Sequence, residues 1–444
     1  MDHNRRTFVT TALGTVAVLA AARADAAPPT TALPAPVPDL VPDTGNDVSA
    51  LLQAAIDRAA ERKVALVLPS GRHLVSGVTL RTGSVLTGQR GAVLVASKAG
   101  AVLTATGAND LLLSGFAIDG SMLGTADDAL LAFKSCDRVR VEDLTIAQAG
   151  GRGVLLDGCS GTIITACRVS NVDTAIHSID AIGLAIAEND IAYCANNGIL
   201  VWRTAIGEDG SIVARNRIAR IAARAGGSGQ NGNGVNVFRA GGVLVEGNRI
   251  SDCAYSAVRA NAASNVQMVA NSCARIGEVA LYAEFGFEGA LIASNVVDGA
   301  ASGIAVTNFN EGGRLAVVQG NLIRNLARRE YEPQDKRGEG ISVEADASVT
   351  GNTIENAATA GIVVGWGRFM RDCVVTGNLV RGSPLGILVS ADANAGSCLV
   401  SANMISGAKD GAIRAHDHGK PFGPDLVREA TDNGRVRISG NISS

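Results

Sequence analysis

A chain of 444 residues that is 47% hydrophobic and 18% charged has ample material for a folded core, and a net charge of −3 with no basic face excludes a nucleic-acid-binding role. Aromatic residues make up only 3% of the chain while glycines number 53, a composition suited to a narrow interior. Beyond the N-terminal region there is no run of roughly eighteen uninterrupted apolar residues, so the sequence predicts no membrane span in the mature chain.

At the N-terminus, Asn4-Arg5-Arg6-Thr7-Phe8-Val9 precedes an apolar stretch of small residues from Ala12 to Ala22 and an Ala-x-Ala site at Ala24-Asp25-Ala26. Charged start, apolar middle and cleavage site in that order predict an export signal over residues 1–26, and the paired arginines followed by Phe8 resemble the twin-arginine signal. The expected location is the periplasm or the outside of the cell, with the twin-arginine translocase as a partner during export. Substrates of that route fold in the reducing cytoplasm, so stability is not expected to rest on disulfides. The eight cysteines (Cys136, Cys159, Cys167, Cys194, Cys253, Cys273, Cys373, Cys398) form no Cys-x-x-Cys pair and are expected to be buried small hydrophobes.

Residues 27–46 are Pro-rich and read as a linker. Residues 47–62 then predict a capping helix, with Leu51, Leu52, Ala55, Ile56 and Ala59 on one face. Beyond it no long 3.6-periodic segment occurs, and a different period takes over.

An asparagine followed by a short apolar stretch, then a Gly-apolar-x-apolar strand, recurs about every twenty-five residues. The asparagines are Asn189, Asn216, Asn248, Asn271, Asn295, Asn321, Asn352, Asn378, Asn403 and Asn441. The strands include Gly198-Ile199-Leu200-Val201, Gly234-Val235-Asn236-Val237, Gly303-Ile304-Ala305-Val306, Gly340-Ile341-Ser342-Val343, Gly361-Ile362-Val363-Val364 and Gly386-Ile387-Leu388-Val389. Short β-branched strands at this spacing predict one all-β domain over residues 63–444, a parallel β-helix about 65 Å long. Stacked asparagines can satisfy the turns between coils, so the Asn ladder is expected to be structural. His416 to Gly434 breaks the repeat before Val436 to Ile442 resumes it, an expected C-terminal cover.

Asp47, Gln53-Ala54-Ala55-Ile56-Asp57, Val64-Ala65-Leu66-Val67-Leu68-Pro69-Ser70-Gly71 and Leu74-Val75 resemble the opening of the pectate-lyase-like superfamily, with His73 where an aromatic is usual. With its N-terminal signal and repeated Asn/Gly coils, the whole chain resembles the twin-arginine-translocated β-helix repeat proteins. That resemblance implies a right-handed parallel β-helix and an exported protein, but no particular reaction. The superfamily includes polysaccharide lyases, galacturonases and alginate epimerases. Asp127-Asp128-Ala129-Leu130 resembles the paired aspartates of galacturonases, yet the surrounding Asn-Thr-Asp, Gly-His-Gly and Arg-x-Lys motifs are missing, and a turn is the better reading. The Asp-Pro-His of the epimerases has no counterpart.

Alternation within the strands assigns outward-facing positions. One column runs His177, Leu200, Asn236, Arg259, Tyr282, Ala305, Ser342, Val363, Leu388 and Arg414. A second runs Trp202, Phe238, Asn261, Glu284, Thr307, Glu344, Gly365, Ser390 and His416. Their polar members concentrate in the middle coils, and two insertions, Arg224 to Asn233 and Arg328 to Glu339, are expected to overhang them. Trp202, Phe238, Phe285, Phe287, Phe309, Trp366 and Phe369 fall at or after the strand ends, where they either stack on sugar rings or seal the edge of the solenoid.

For chemistry, Glu284 and Glu344 lie two coils apart in one column, a spacing of about 9 to 10 Å that approaches the carboxylate separation of an inverting glycosidase. Alternatively Arg259 serves as base or substrate neutraliser beside a Ca²⁺ ion held by the glutamates, as in a lyase. A surface ion pair between Arg259 and Glu284 is the bland alternative. His177, His416 and His418 are weaker candidates. The function readings are thus a monomeric carbohydrate-active protein that binds a polysaccharide or oligosaccharide and cleaves or modifies it with Glu284, Glu344 and Arg259, or a non-catalytic glycan-binding or structural envelope protein. In either binding role Asn236, Phe238, Asn261, Tyr282, Thr307, Ser342, Trp202 and Trp366 would line the site.

Overall fold

Three short strands and two tight corners form each coil, as in Leu244–Glu246, Arg249–Cys253 and Val258–Asn261. Each strand pairs in parallel with its counterparts in the neighbouring coils, which assembles one 17-stranded sheet and one 28-stranded sheet. The second sheet includes two faces because some strands, such as Ser272–Glu284, continue through the corner. This is a right-handed parallel β-helix with one N-terminal helix. The computed structural model describes residues 35–36, 40–227, 229–328, 338–427, 431–432 and 434–444. The export signal of residues 1–26, most of the linker and most of the second insertion lie outside the described residues.

Inward positions are mostly Val, Ile, Leu and Ala, with some Cys, Met and Phe, and they form one continuous core from Leu40 to Ile438. At the corner that opens the third strand, glycine is a steric requirement. A Cβ on Gly303 would overlap the carbonyl oxygen of Gly340, and one on Gly340 would overlap that of Gly361. The Asn ladder occupies the corner between the first two strands. Asn295 donates its backbone N–H and its side-chain amide to Asn321 Oδ1, both at 3.0 Å, and donates again to the Met268 carbonyl at 2.8 Å. The same set repeats from Asn189 to Asn441, and Cys167 donates its backbone N–H to Asn189 Oδ1 at the first rung. The ladder is structural, as the sequence indicates. All the cysteines are buried and unbridged, and burial pushes Cys194 and Cys373 up to about 12.

The ends are closed by different means. The helix Ser49–Arg62 buries Leu52, Ala55, Ile56 and Ala59, whereas Leu51 is 46% exposed and does not belong to the packed face. Lys63 ends the helix in the left-handed conformation. At the other end Gly411–Asp417 pairs with Lys420–Phe422, and Thr431–Asp432 with Val436–Ser439, both antiparallel. These reversals cover edges that would otherwise template further strands. Asp128 accepts a hydrogen bond from the Thr125 N–H at 2.7 Å and Asp127 is fully exposed, so the aspartate pair is a turn. No helix among the described residues is long and apolar enough to cross a membrane.

Candidate functional site

The first outward column is aligned as its spacing indicates. His177, Leu200, Asn236, Arg259, Tyr282, Ala305, Ser342, Val363, Leu388 and Arg414 are successive partners in the parallel ladder. Its exposure differs from expectation. His177, Leu200, Asn236, Arg259, Val363 and Leu388 are buried rather than solvent-facing. Adjacent members of the column shield one another, and the insertion before Gly234 lies against the middle of it. Asn233 Nδ2 donates to the Gly229 carbonyl at 2.8 Å, the Tyr255 hydroxyl donates to the Gly227 carbonyl at 2.7 Å, and a side chain at position 229 would collide with the Arg259 guanidinium.

Arg259, Glu284, Asn261 and Tyr282 form one cluster. Arg259 Nε donates to Glu284 Oε1 at 2.5 Å, Asn261 Nδ2 donates to the same oxygen at 2.9 Å, and the guanidinium lies 5.1 Å from the centre of the Tyr282 ring. The ion pair is buried, with Arg259 7% and Glu284 2% exposed, so it is not the surface pair considered above. Glu278, fully buried, adds a second carboxylate 3.4 Å from Arg259 Nη1. Thr307 hydrogen-bonds the Tyr282 side chain, and burial raises the Tyr282 pKa.

Glu344 stands apart from that cluster in its chemistry. Its Oε2 accepts the Phe309 N–H at 2.6 Å with support from the Asn308 N–H, and burial pushes its carboxyl up to about 7 against those bonds. The Ser342 hydroxyl donates to Glu339. On the N-terminal side, Trp202 meets His177 edge-on at 5.0 Å and Phe238 at 5.7 Å. Burial holds His177 down at about 4, so its imidazole is neutral. Trp366 is not part of this group. It lies 5.4 Å from His418, next to a backbone bridge with Phe369. His416 is fully buried rather than outward in solvent, with Nε2 3.2 Å from the Val364 carbonyl and Nδ1 accepting the Gly419 N–H. Phe287 is a core residue, whereas Phe285 is 40% exposed.

Glu278, Glu339, Asn233, Ser256 and Ser302 escape a reading based on strict alternation. The chain bends at the glycine position, so the residue before it shares the outer face with the residue three later, as the Glu339–Ser342 hydrogen bond shows, while Glu278 sits one residue earlier, before Val279, the ladder partner of Ser302. A polar residue just before the repeat glycine, as in Asn233-Gly234, Ser302-Gly303 and Glu339-Gly340, was the available signal.

Among the described residues, six of the twelve buried polar atoms without a hydrogen-bond partner lie here: both His177 ring nitrogens, Trp202 Nε1, Asn236 Oδ1, Ser256 Oγ and Ser302 Oγ; Arg414 Nε, at the C-terminal end of the same column, is another. Two clefts of about 860 and 470 Å³ lie off this face and contain none of the expected site residues. The unpartnered atoms point to a site more strongly than cleft size does, because buried polar groups are normally bonded and each exception calls for an explanation. Among the described residues no group of three or more His, Cys, Asp and Glu is arranged to hold a metal ion.

A family model described as "Right handed beta helix region" matches residues 152–322 and 227–380, which together span just over half of the chain. The chain belongs to the right-handed β-helix family. No curated protein matches it in sequence. Among solved structures of this architecture, the tailspike protein of E. coli bacteriophage HK620, crystallised with a pentasaccharide, superimposes with a TM-score of 0.55 at 13% identity, covering 91% of this chain and 80% of that one. The catalytic unit of an α-1,3-glucanase from Streptomyces thermodiastaticus gives 0.50 at 14% identity over 94% and 69% of the two chains. PfbA, a surface adhesin of Streptococcus pneumoniae, gives 0.50 at 15% identity over 81% and 93%. At such identities the likeness carries the β-helix fold alone.

Proposed function

We propose that this β-helix protein is exported and holds a polysaccharide or oligosaccharide against the outward face of its middle coils. The observation that carries the reading is the gathering of buried, unpartnered polar atoms on that face. Each such atom costs about 1–3 kcal/mol when left unmade, and a hydroxyl-rich ligand would supply the partners. Trp202, Phe238, Asn261, Thr307, Ser342 and Glu344 remain half-buried and form its open edge. Two similar structures belong, by name, to a glucanase and to a tailspike holding a pentasaccharide, which agrees with this ligand class.

A catalytic version assigns Glu344 as the acid, since a carboxyl near 7 keeps its proton at neutral pH. It also needs Glu284 as base, and Glu284 is engaged by Arg259 and Asn261. That engagement favours the second reading, a protein that binds glycan without cleaving it. Thermal unfolding of the mature chain with a panel of neutral and uronate-rich oligosaccharides, with and without calcium, tests the binding. A ligand at a hundred times its dissociation constant should add about 2.7 kcal/mol, and an Asn236→Leu/Glu344→Gln variant should lose that gain. No shift with any glycan, in protein that unfolds cooperatively, would discard the glycan reading. Product analysis on the ligand found then separates enzyme from binder. For export, residues 1–40 fused to a reporter should direct it out of the cytoplasm, and an Arg5→Lys/Arg6→Lys pair should hold it back.

A further inference from the structure

We infer that the glycan is neutral and not a polyuronate, its hydroxyls meeting His177, Trp202, Asn236, Ser256 and Ser302. This rests on the glycan reading above and narrows it. These five residues, with their unpartnered atoms, are uncharged and two-sided. Asn236 Oδ1 accepts, Trp202 Nε1–H donates, a neutral imidazole offers one donor and one acceptor, and each serine hydroxyl does both. Sugar hydroxyls both donate and accept, so they match each of these groups, whereas a carboxylate only accepts.

Recognition of a uronate calls for a cation with capacity to spare, best of all a guanidinium in bidentate contact. Among the described residues the two outward columns from His177 to Glu344 include one cation, Arg259, which is already bonded to Glu284 and lies within reach of Glu278, while Arg239, at the rim, stacks on the Phe238 ring and donates to the Thr204 carbonyl. A uronate arriving there would face the Glu284 carboxylate and would have to displace it. With its ring nitrogens buried and its pKa depressed, His177 does not supply a second positive charge near neutral pH.

The decisive comparison is between matched ligands. Oligomers of galacturonate, glucuronate and mannuronate are titrated into the folded mature chain by calorimetry, each beside the same oligomer after carboxyl reduction, and neutral glucans complete the panel. The expected result is that a neutral member binds at least tenfold more tightly than its uronate partner, and that Asn236→Leu and His177→Leu each weaken it at least tenfold. A uronate that binds more tightly than its reduced counterpart overturns the inference while leaving the glycan reading in place. A neutral glycan bound equally well by both variants overturns the assignment of these residues. No binding by any member overturns the glycan reading itself.

Discussion

The same outward face changes character within one coil. Glu339 and Ser342 in the middle coils are direct ladder partners of Ala360 and Val363 in the next, and Ala360, Val363, Leu385 and Leu388 close the C-terminal coils as a separate apolar cluster. Backbone, register and corner glycine are shared, so the solenoid itself does not require polar residues at these positions. Two buried histidines sharpen the contrast. His416, at the C-terminal end, has a partner for each ring nitrogen, whereas His177 has none. The C-terminal coils fill most of this face with apolar side chains, Arg414 Nε being the buried atom there without a partner, whereas the middle coils carry several such atoms at a cost in stability. Such departures are most often found where function resides.

The largest expected effect comes from breaking the buried charges one at a time. Arg259→Met leaves the Glu284 carboxylate buried without its cation and should destabilise the chain by about 3–5 kcal/mol in denaturant unfolding. An Arg259→Met/Glu278→Gln/Glu284→Gln triple variant makes the middle coils resemble the C-terminal ones, and it should recover most of that loss. If single and triple variants are equally unstable, the ion pair is not what sets the middle coils apart.

Next comes pH. The Glu344 carboxyl is raised from 4.5 to about 7, so the folded state keeps a proton that the unfolded chain releases. No penalty exists below about pH 4.5, and stability is lost as pH climbs from there to about 7, at roughly 1.4 kcal/mol per unit and about 3 kcal/mol in all. The two histidines act in the opposite sense. Each falls from 6.5 to about 4 on folding, so each removes stability as pH drops through that window. Glu344→Gln should therefore gain on wild type steadily between pH 4.5 and 7, while His177→Phe should gain on it between pH 6.5 and 4. Parallel curves for wild type and Glu344→Gln would refute the burial argument.

A control follows from what the two regions share. Asn295→Ala in the middle and Asn378→Ala among the C-terminal coils each remove the bonds that Oδ1 accepts from the preceding asparagine and that Nδ2 donates, so each should cost about 2 kcal/mol and the two costs should agree. The ladder was legible in sequence because a fixed asparagine at a fixed offset has one geometric explanation. The first outward column was legible for the same reason, down to His177 and Arg414 at its ends. Burial was not. It depends on Gly227, Gly229 and Asn233 of the first insertion lying against Tyr255 and Arg259 in the next coil, and on the bend at each glycine that brings Glu339 and Ser342 to one face. The raised pKa of Glu344 likewise depends on its enclosure beside Asn308 and Phe309, 35 residues away along the chain for the latter.

The smallest effect is also the one that most directly separates function from fold. Asn236 Oδ1 is buried without a partner, in a column whose neighbouring coil carries Leu200 and whose later coil carries Leu388. Leucine therefore fits the backbone and the column at this position. Asn236→Leu removes an unmet acceptor and buries more apolar surface, so it should raise stability by about 1 kcal/mol. If the asparagine serves the fold, the substitution will lower the unfolding midpoint instead. A gain in midpoint together with loss of glycan binding would mean that the chain carries this residue at the expense of its own stability, as sites selected for binding commonly do.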